Sequence, residues 1–260
     1  MDTHRIQEIA DILQQAADTL VPIPPLSTSY DPFTLEEAYA VQLYNVERGT
    51  KNGRVVSGKK VGLTNKAMQD LLGVDQPDYG HLFSDMEITD GVLEICTMLQ
   101  PRVEAEIAFV LKKDLASEGP VSIDDVLEAT DYVVPSLEIV DSRVKDWKIG
   151  ISDTVADNAS CGRYILGSKR TPIDGFDRLA ETMDLYVNDE LVGSGNGTAV
   201  LGDSAYCVAW LAQKMGQLGS GLKKGDVVLP GALSRMVAVS KGDTVTARFS
   251  TIGEVTLLVR

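Results

Sequence analysis

The amino-acid sequence predicts an α+β fold, with a helical N-terminal part over residues 1–75 and a β-rich body over residues 76–260. Apolar residues near the N-terminus recur at the spacing of an amphipathic helix. After residue 90, short runs typical of strands dominate. A chain of 260 residues is long enough to bury one large core, so the two parts can form one continuous domain.

The N-terminal part is predicted to contain two long helices. The first covers residues 3–20 and is followed by a Pro- and Ser-rich connection at 21–33. The second begins at the capping box Thr34-Leu35-Glu36-Glu37 and fades between residues 49 and 53. The next elements are a strand at 54–63, a short helix at 65–72 closed by Gly73, and a turn-rich stretch at 74–81.

The body is predicted to consist of strands interrupted by two helices. The strand-like runs lie at residues 91–97, 102–112, 131–140, 182–187, 226–230, 235–239, 243–250 and 254–259. One helix covers residues 122–129, with Ser122 as its cap and Asp125 three residues later, and the other covers 203–217 with Asp203 as its cap. Asn188-Asp189 is typical of a hairpin turn.

The charge of the chain argues against nucleic acid or an anionic membrane as a partner. Lys and Arg number 24 and Asp and Glu number 38, which gives a net charge of −14, and the sequence pI is about 4.5. Apolar residues make up 44% and charged residues 24%, as in ordinary globular proteins. An acidic protein that binds an anionic substrate needs a local cation, and a metal ion is one candidate.

Several features are typical of a cytoplasmic protein. Residues 1–20 are amphipathic and charged, unlike a signal peptide. We expect no membrane span, because no stretch approaches the roughly 18–20 apolar residues that a span requires. Cys96, Cys161 and Cys207 are odd in number and far apart, so no disulfide framework is indicated.

The most informative stretch is the strand-like run around Glu104 and Glu106. Strand periodicity places Arg102, Glu104, Glu106 and Ala108 on one face, which is therefore partly apolar. Two carboxylates on such a face repel each other unless a cation compensates them. A hard divalent cation prefers oxygen ligands of this kind. The alternative is an exposed strand edge on which Arg102 balances the pair.

A third carboxylate, Glu138, favours the metal interpretation. It stands alone within an apolar strand, where an acid is costly unless it is paired or bound to a metal. Three ligands would leave coordination positions open for a substrate. Asp141 at the end of the same strand is better interpreted as a turn residue than as a ligand.

Two further segments can contribute to a site. Lys60 lies between glycines in a strand and can steer an anion or act as an acid or base, whereas Lys59 is expected to be a surface lysine. Residues 153–160 form a short-chained polar stretch that can hydrogen-bond a ligand, or a plain turn.

Other catalytic and binding patterns are weak. His4 and His81 are the two histidines, and no GxSxG motif accompanies them, so a Ser-His-Asp or Cys-His mechanism is disfavoured. A zinc site with several His or Cys ligands is equally disfavoured. The glycine-rich residues 193–197 lack the ending of a phosphate-binding loop.

Four motifs, in order along the chain, resemble those of the 2-keto-4-pentenoate (2-hydroxypenta-2,4-dienoate) hydratases. They are GKKVGLT at 58–64, GVDQPDYG at 73–80, QPRVEAEIA at 100–108 and DTVADNASCG at 153–162. The related 4-oxalocrotonate decarboxylases share most of this pattern, and both belong to the fumarylacetoacetate hydrolase superfamily. The resemblance spans nearly the whole chain and implies a β-rich roll, usually assembled into homo-oligomers.

The resemblance also implies a metal site and a set of roles. Mg²⁺ or Mn²⁺ is expected to bind Glu104, Glu106 and Glu138, the three residues that the strand patterns single out. By the same resemblance Lys60 is expected to act as the acid/base or substrate-orienting residue. Asp78 and the backbone from Gly80 to Leu82 are expected to border the pocket, and Ser160 to hydrogen-bond the substrate.

The implied reaction is hydration through a metal-stabilised enolate. The dienol 2-hydroxypenta-2,4-dienoate becomes a 2-oxo-3-enoate, and water then adds at C4 to give 4-hydroxy-2-oxopentanoate, a step of aromatic meta-cleavage catabolism. The decarboxylase uses the same metal site but needs a counter-charge for a second carboxylate, for which the candidates are Arg143, Lys145 and Arg235.

Further alternatives stay open from the sequence. They are a hydratase for a longer dienoate, a C–C hydrolase that relies on His81, and a non-catalytic subunit that associates with a related pathway enzyme.

Overall fold

The computed structural model describes residues 2–66, 69–70, 73–115 and 119–260. Among these residues the α-helices are α1 (Thr3–Thr19), α2 (Leu26–Ser29), α3 (Leu35–Lys51), α4 (Ile123–Ala129), α5 (Ile151–Ala156) and α6 (Ser204–Gln217). The strands are β1 (Val56–Gly62), β2 (Asp78–Phe83), β3 (Val92–Leu93), β4 (Arg102–Leu111), β5 (Thr130–Val140), β6 (Cys161–Leu166), β7 (Thr171–Pro172), β8 (Thr182–Val187), β9 (Glu190–Asn196), β10 (Val227–Leu229), β11 (Val237–Ala238), β12 (Thr244–Phe249) and β13 (Gly253–Val259). The predicted α+β class is confirmed.

The two long N-terminal helices are confirmed, and their first turns explain why. Asp2 accepts hydrogen bonds from the backbone of the first turn of α1. Thr34 and Glu37 form the predicted capping box at the start of α3. Both helices bury one apolar face and pack against each other, with α5 also in contact with α3.

The described strands form two sheets. The larger has the order β2-β1-β10-β4-β5-β6, with β11 beside β4 and β7 beside β5. The smaller has the order β3-β13-β12-β8-β9. The largest apolar cluster contains side chains from both sheets and from α4 and α6. β1 begins within residues 1–75 but pairs with β2 and β10 of the larger sheet. The boundary at residue 75 stays a prediction.

Several sequence predictions need correction. The turn-rich assignment of residues 74–81 was wrong from Asp78 onward, because β2 starts there. All six residues of β2 are buried, so the strand has no alternating pattern to read, and Gly80 suggested a turn. Strands β6 and β7 and helices α2 and α5 were also missed. The hairpin predicted at Asn188-Asp189 is confirmed, because these residues join β8 to β9. The predicted helix at 65–72 includes residues outside the described part of the chain.

Over the described residues, none of the helices combines the length and the apolar character needed to cross a bilayer.

Candidate metal centre

Strand register brings the three predicted glutamates together. β4 and β5 are antiparallel neighbours, and Glu104 pairs directly with Glu138. Glu106 follows two residues later on the same face of β4, as the alternation of a strand requires. One carboxylate oxygen from each residue lies within 4.8 Å of the other two.

The donors of this cluster fit a hard divalent cation. Glu106 and Glu138 are each 1% exposed, and Glu104 is half-buried at the cavity surface. Oε1 of Glu106 and Oε2 of Glu138 are buried without a hydrogen-bond partner among the described residues. Buried carboxylate oxygens without donors are costly. Oxygen ligands at this spacing suit Mg²⁺, Mn²⁺ or Ca²⁺.

The electrostatics show that Lys60 compensates the negative charge of the cluster only in part. Burial, followed by repulsion from Glu138, raises the pKa of Glu104 to about 7. Burial, together with repulsion from Glu138 and Glu104, raises the pKa of Glu106 well above its ordinary value. Burial also raises the pKa of Glu138, although Lys60 opposes this. A bound cation would favour the ionised form of all three carboxyls.

Lys60 projects from β1 toward this cluster. Its side chain is buried, and its Nζ lies 3.3 Å from Oε1 of Glu138. Burial alone would lower the pKa of Lys60, but Glu138, Cys161 and Asp78 raise it above its ordinary value. The neighbouring acids therefore favour the charged form of Lys60.

Asp78 lies beside Lys60 because β1 and β2 pair in antiparallel register, with Gly62 opposite Asp78. A Cβ on Gly62 would meet Oδ1 of Asp78 at 2.2 Å, so glycine leaves the space that the carboxyl occupies. Burial raises the pKa of Asp78, while the charge of Lys60 lowers it in part. Oδ1 has no hydrogen-bond partner among the described residues.

The backbone N–H of Gly231 holds Glu106 in place by a hydrogen bond. The Gly231 N–H donates to Oε2 of Glu106 at 2.8 Å. Gly231 has a φ of +125°, and a Cβ there would lie 2.0 Å from the Thr64 hydroxyl oxygen. A side chain at this position would separate the donor from Glu106.

A cavity of about 640 Å³ opens onto these residues. Lys60, Asp78, Glu104 and Ser160 all line it, so four of the predicted site residues share one space. Ser160 follows a tight turn after α5, and its hydroxyl lies 3.4 Å from that of Thr154. Of the polar stretch at 153–160, Thr154, Ala159 and Ser160 reach the cavity.

Other predicted residues lie elsewhere. Leu82 is buried in a separate apolar cluster with Phe83 and Tyr164, outside the cavity lining. Asp141 accepts hydrogen bonds from the backbone N–H groups of Leu99 and Gln100, which agrees with its interpretation as a turn residue.

The assignment of Lys59 to the surface was wrong. Lys59 is 7% exposed, and burial lowers its pKa, with Asp226 opposing the shift. His81 is also buried, and burial together with Lys59 lowers its pKa to about 3. Neither residue lines the cavity. Alternation along β1 and β2 places them on the sheet face opposite Lys60 and Asp78.

Sequence reasoning missed a cluster at the cavity wall around Arg102. Its guanidinium carbon lies 4.7 Å from the ring centroid of Trp147, and Nη1 lies 4.0 Å from the Met236 sulfur. Arg102 and Arg235 both line the cavity, and neither has a carboxylate partner within the described ranges. Strand alternation had predicted that Arg102 lies on the same face of β4 as Glu104. Nothing in the sequence indicated that Arg102 stacks on Trp147.

Residues 84–260 match the family model described as fumarylacetoacetate (FAA) hydrolase C-terminal. The chain is 45% identical over 258 residues to the 2-keto-4-pentenoate hydratase of Paraburkholderia xenovorans (strain LB400), covering 98% of this chain and 95% of that protein. It is 43% identical over 245 residues to the 2-hydroxyhexa-2,4-dienoate hydratase of Comamonas testosteroni, covering 93% and 92%.

A solved structure shares the same fold over its full length. It is the 4-oxalocrotonate decarboxylase from Pseudomonas putida G7, complexed with magnesium and adipate. The TM-score is 0.96 at 31% identity, over 100% of this chain and 99% of that chain.

Proposed function

Because the chain belongs to the fumarylacetoacetate hydrolase family, we propose that it is a metal-dependent hydratase. It adds water to 2-hydroxypenta-2,4-dienoate and forms 4-hydroxy-2-oxopentanoate. The observation that carries this proposal is the convergence of Glu104, Glu106 and Glu138. Glu104 and Lys60 line a cavity, with Glu106 and Glu138 buried behind its surface, in a chain that resembles named hydratases along almost its whole length.

The metal-binding role falls to the three glutamates. Mg²⁺ or Mn²⁺ would be held by Glu104, Glu106 and Glu138, which supply buried oxygen donors. When bound, such an ion acts as a Lewis acid that stabilises negative charge on a substrate oxygen. The preference for Mg²⁺ is part of the proposal.

Side chains of the cavity orient the substrate and transfer protons in the proposed reaction. Conversion of the dienol to 2-oxopent-3-enoate removes the proton from the C2 hydroxyl and adds one at C5. Water then adds hydroxide at C4 and a proton at C3. Lys60 is a charged donor that orients the anionic substrate, and Asp78 has a pKa raised by burial, so that it can exchange a proton. The Ser160 hydroxyl contributes a hydrogen bond.

Decarboxylation of 4-oxalocrotonate is the second candidate, and a specific observation favours it. Arg102 and Arg235 line the cavity without a carboxylate partner in the described part of the chain, and can meet a second carboxylate. Of the other predicted counter-charges, Arg143 is bound to Asp157 and Lys145 does not line the cavity. The solved decarboxylase with the same fold points the same way.

The remaining alternatives receive less support. A hydrolase that depends on His81 would need this residue in the cavity, and it lies outside the lining. The non-catalytic alternative does not explain why Lys60 and Asp78 accompany the glutamates. A homo-oligomer in the cytoplasm, acting in aromatic catabolism and in contact with a related pathway enzyme, is the setting that we propose for the hydratase.

The direct test is turnover of 2-hydroxypenta-2,4-dienoate by the purified protein, with Mg²⁺ and again with EDTA. Ultraviolet absorbance follows the loss of the conjugated diene, and NMR identifies the product. We expect metal-dependent formation of 4-hydroxy-2-oxopentanoate. Release of CO₂ from 4-oxalocrotonate without hydration of the dienoate would replace the hydratase with the decarboxylase, and no turnover of either acid would overturn both.

A further inference from the structure

One wall of the cavity contains a short left-handed turn. Asn158, Ala159 and Ser160 have φ angles of 54°, 52° and 54°, although none of them is glycine. Residues with a Cβ adopt this region at a cost, and they keep it where the surroundings over-determine it. Ala159 and Ser160 line the cavity, so the turn is part of the site.

The side chain of Asn158 fixes this turn to β2. The His81 N–H donates to Oδ1 of Asn158 at 2.8 Å, and Nδ2 of Asn158 donates to the His81 carbonyl oxygen at 2.9 Å. The amide thus makes the same reciprocal pair of bonds that a neighbouring strand residue would make. We call this pair of bonds the Asn158 clamp.

At the clamp, β2 and the turn at residues 158–160 lie unusually close to each other. A Cβ on Gly80 would lie 2.4 Å from the Asn158 carbonyl oxygen, so the approach requires glycine at that position of β2. Asp78 precedes Gly80 by two residues and lies on the same face of β2. Ser160 follows Asn158 by two residues. The clamp therefore links the two segments that carry Asp78 and Ser160 to the cavity.

We propose that Asn158 is a positioning residue that sets the placement of Asp78 relative to Ser160 during the reaction. This inference rests on the proposed function, which gives roles to those two residues. The three glutamates lie on β4 and β5, whereas the clamp joins β2 to the turn after α5. Loss of the clamp should therefore change turnover and leave metal binding intact.

The variant that isolates the clamp is Asn158→Gly. Glycine adopts a positive φ without strain, so the turn keeps its backbone while the two amide bonds are lost. Asn188→Gly is the matched control. Asn188 also has a positive φ, of 52°, accepts from Thr244 N–H at 2.9 Å and donates to Asp243 at 2.7 Å, but it lies in the hairpin of the smaller sheet.

We expect Asn158→Gly to lower kcat by roughly 10- to 100-fold, since small displacements of reacting groups have effects of this size. Mg²⁺ affinity measured by calorimetry should stay at the wild-type value, and Asn188→Gly should keep wild-type kcat. Hydrogen exchange measured by mass spectrometry should become faster across residues 78–83 in Asn158→Gly.

Three results would overturn the proposal. They are wild-type kcat in Asn158→Gly, an equal loss of kcat in Asn188→Gly, or a parallel loss of Mg²⁺ affinity. If the wild-type protein transforms neither the dienoate nor 4-oxalocrotonate, the proposed function fails instead. Hydrogen exchange still decides the clamp in that case: unchanged exchange across residues 78–83 in Asn158→Gly would exclude it.

Discussion

Glu104 and Glu138 lie directly opposite each other on adjacent strands. Like charges in these positions ordinarily destabilise a sheet. The Glu-x-Glu spacing and the isolated acid in an apolar strand predicted the set from the sequence. Their direct pairing was not predictable, because register depends on both strands and a shift of one residue would turn Glu138 to the other face.

Glu104→Gln should lower kcat/KM by at least about 100-fold and weaken Mg²⁺ binding, because a neutral amide is a poorer ligand for a hard cation. The same change should leave the metal-free protein folded and more stable by on the order of 1 kcal/mol, since it removes a buried charge and its repulsion from Glu138. Calorimetric Mg²⁺ titration and thermal unfolding in EDTA measure the two effects.

Glu190→Gln is the control for this substitution, because Glu190 is exposed on β9. It should match the wild type in both measurements. If Glu104→Gln kept wild-type Mg²⁺ affinity, the three-glutamate metal centre would be wrong.

At the scale of elements, β2 shows where sequence patterns fail. Its six residues are all buried: β1 pairs along it, and α5, the turn at residues 158–160 and β6 also contact it. A strand that is buried on both faces shows neither alternation of apolar and polar residues nor the spacing of a helix. The capping box of α3 and the polar cap of α4 were predictable, because each depends on residues three apart in sequence.

Gly62→Ala should destabilise the protein by about 1–3 kcal/mol, because the new Cβ would lie 2.2 Å from Oδ1 of Asp78 and force β1 or β2 to move. A double-mutant cycle with Asp78→Ser, followed by denaturant unfolding, measures the coupling. The penalty should shrink in the Asp78→Ser background. An equal penalty in both backgrounds would mean that the strain of Gly62→Ala arises elsewhere.

Gln42→Leu should destabilise the protein by about 2 kcal/mol. Nε2 of Gln42 on α3 donates to the carbonyl oxygens of Tyr79 at 3.0 Å and Val155 at 2.8 Å, and leucine would leave both acceptors unpaired in the interior. Urea unfolding measures the change. Gln14→Leu, at an exposed position of α1, should alter stability far less, and equal effects would contradict this account.

At the scale of the molecule, the sequence was sufficient for the α+β class and for most strands of the body. It was insufficient for the order of the larger sheet, in which β10 inserts between β1 and β4. Contacts between segments so distant along the chain carry no local signal. The shared cavity of Lys60, Glu104 and Ser160 depends on that order, so from the sequence only the resemblance to a known family linked these residues.

In the metal-free protein the three glutamates should contribute stability that is lost as the pH rises from about 4.5 to about 7. His81 opposes this loss below its ordinary pKa of 6.5, because its folded-state pKa is lowered to about 3. Glu104 has an ordinary pKa of 4.5, and its folded-state pKa is about 7, so the folded protein binds more protons in this window. The raised pKa values of Glu106 and Glu138 act in the same direction. The lowered pKa values of Asp85 and Asp125 act at lower pH, below their ordinary value of 3.8.

Thermal unfolding in EDTA at pH 5, 6, 7 and 8 measures this dependence, and added Mg²⁺ should raise Tm more at pH 8 than at pH 5. Because Glu104→Gln keeps His81, the difference in Tm between wild type and variant isolates the carboxyl contribution, and this difference should grow in favour of the variant as the pH rises. A difference that stays constant over this range in EDTA would contradict the coupling of Glu104 to stability.

The stack of Arg102 on Trp147 gives the protein an intrinsic optical reporter. The chain has two tryptophans: Trp147 lines the cavity, and Trp210 packs against the core from α6. In a Trp210→Phe protein, fluorescence would come from a single indole stacked on a cation in the cavity wall. Arrival of an anion at Arg102 would alter that emission on the timescale of mixing, so binding can be timed separately from chemistry.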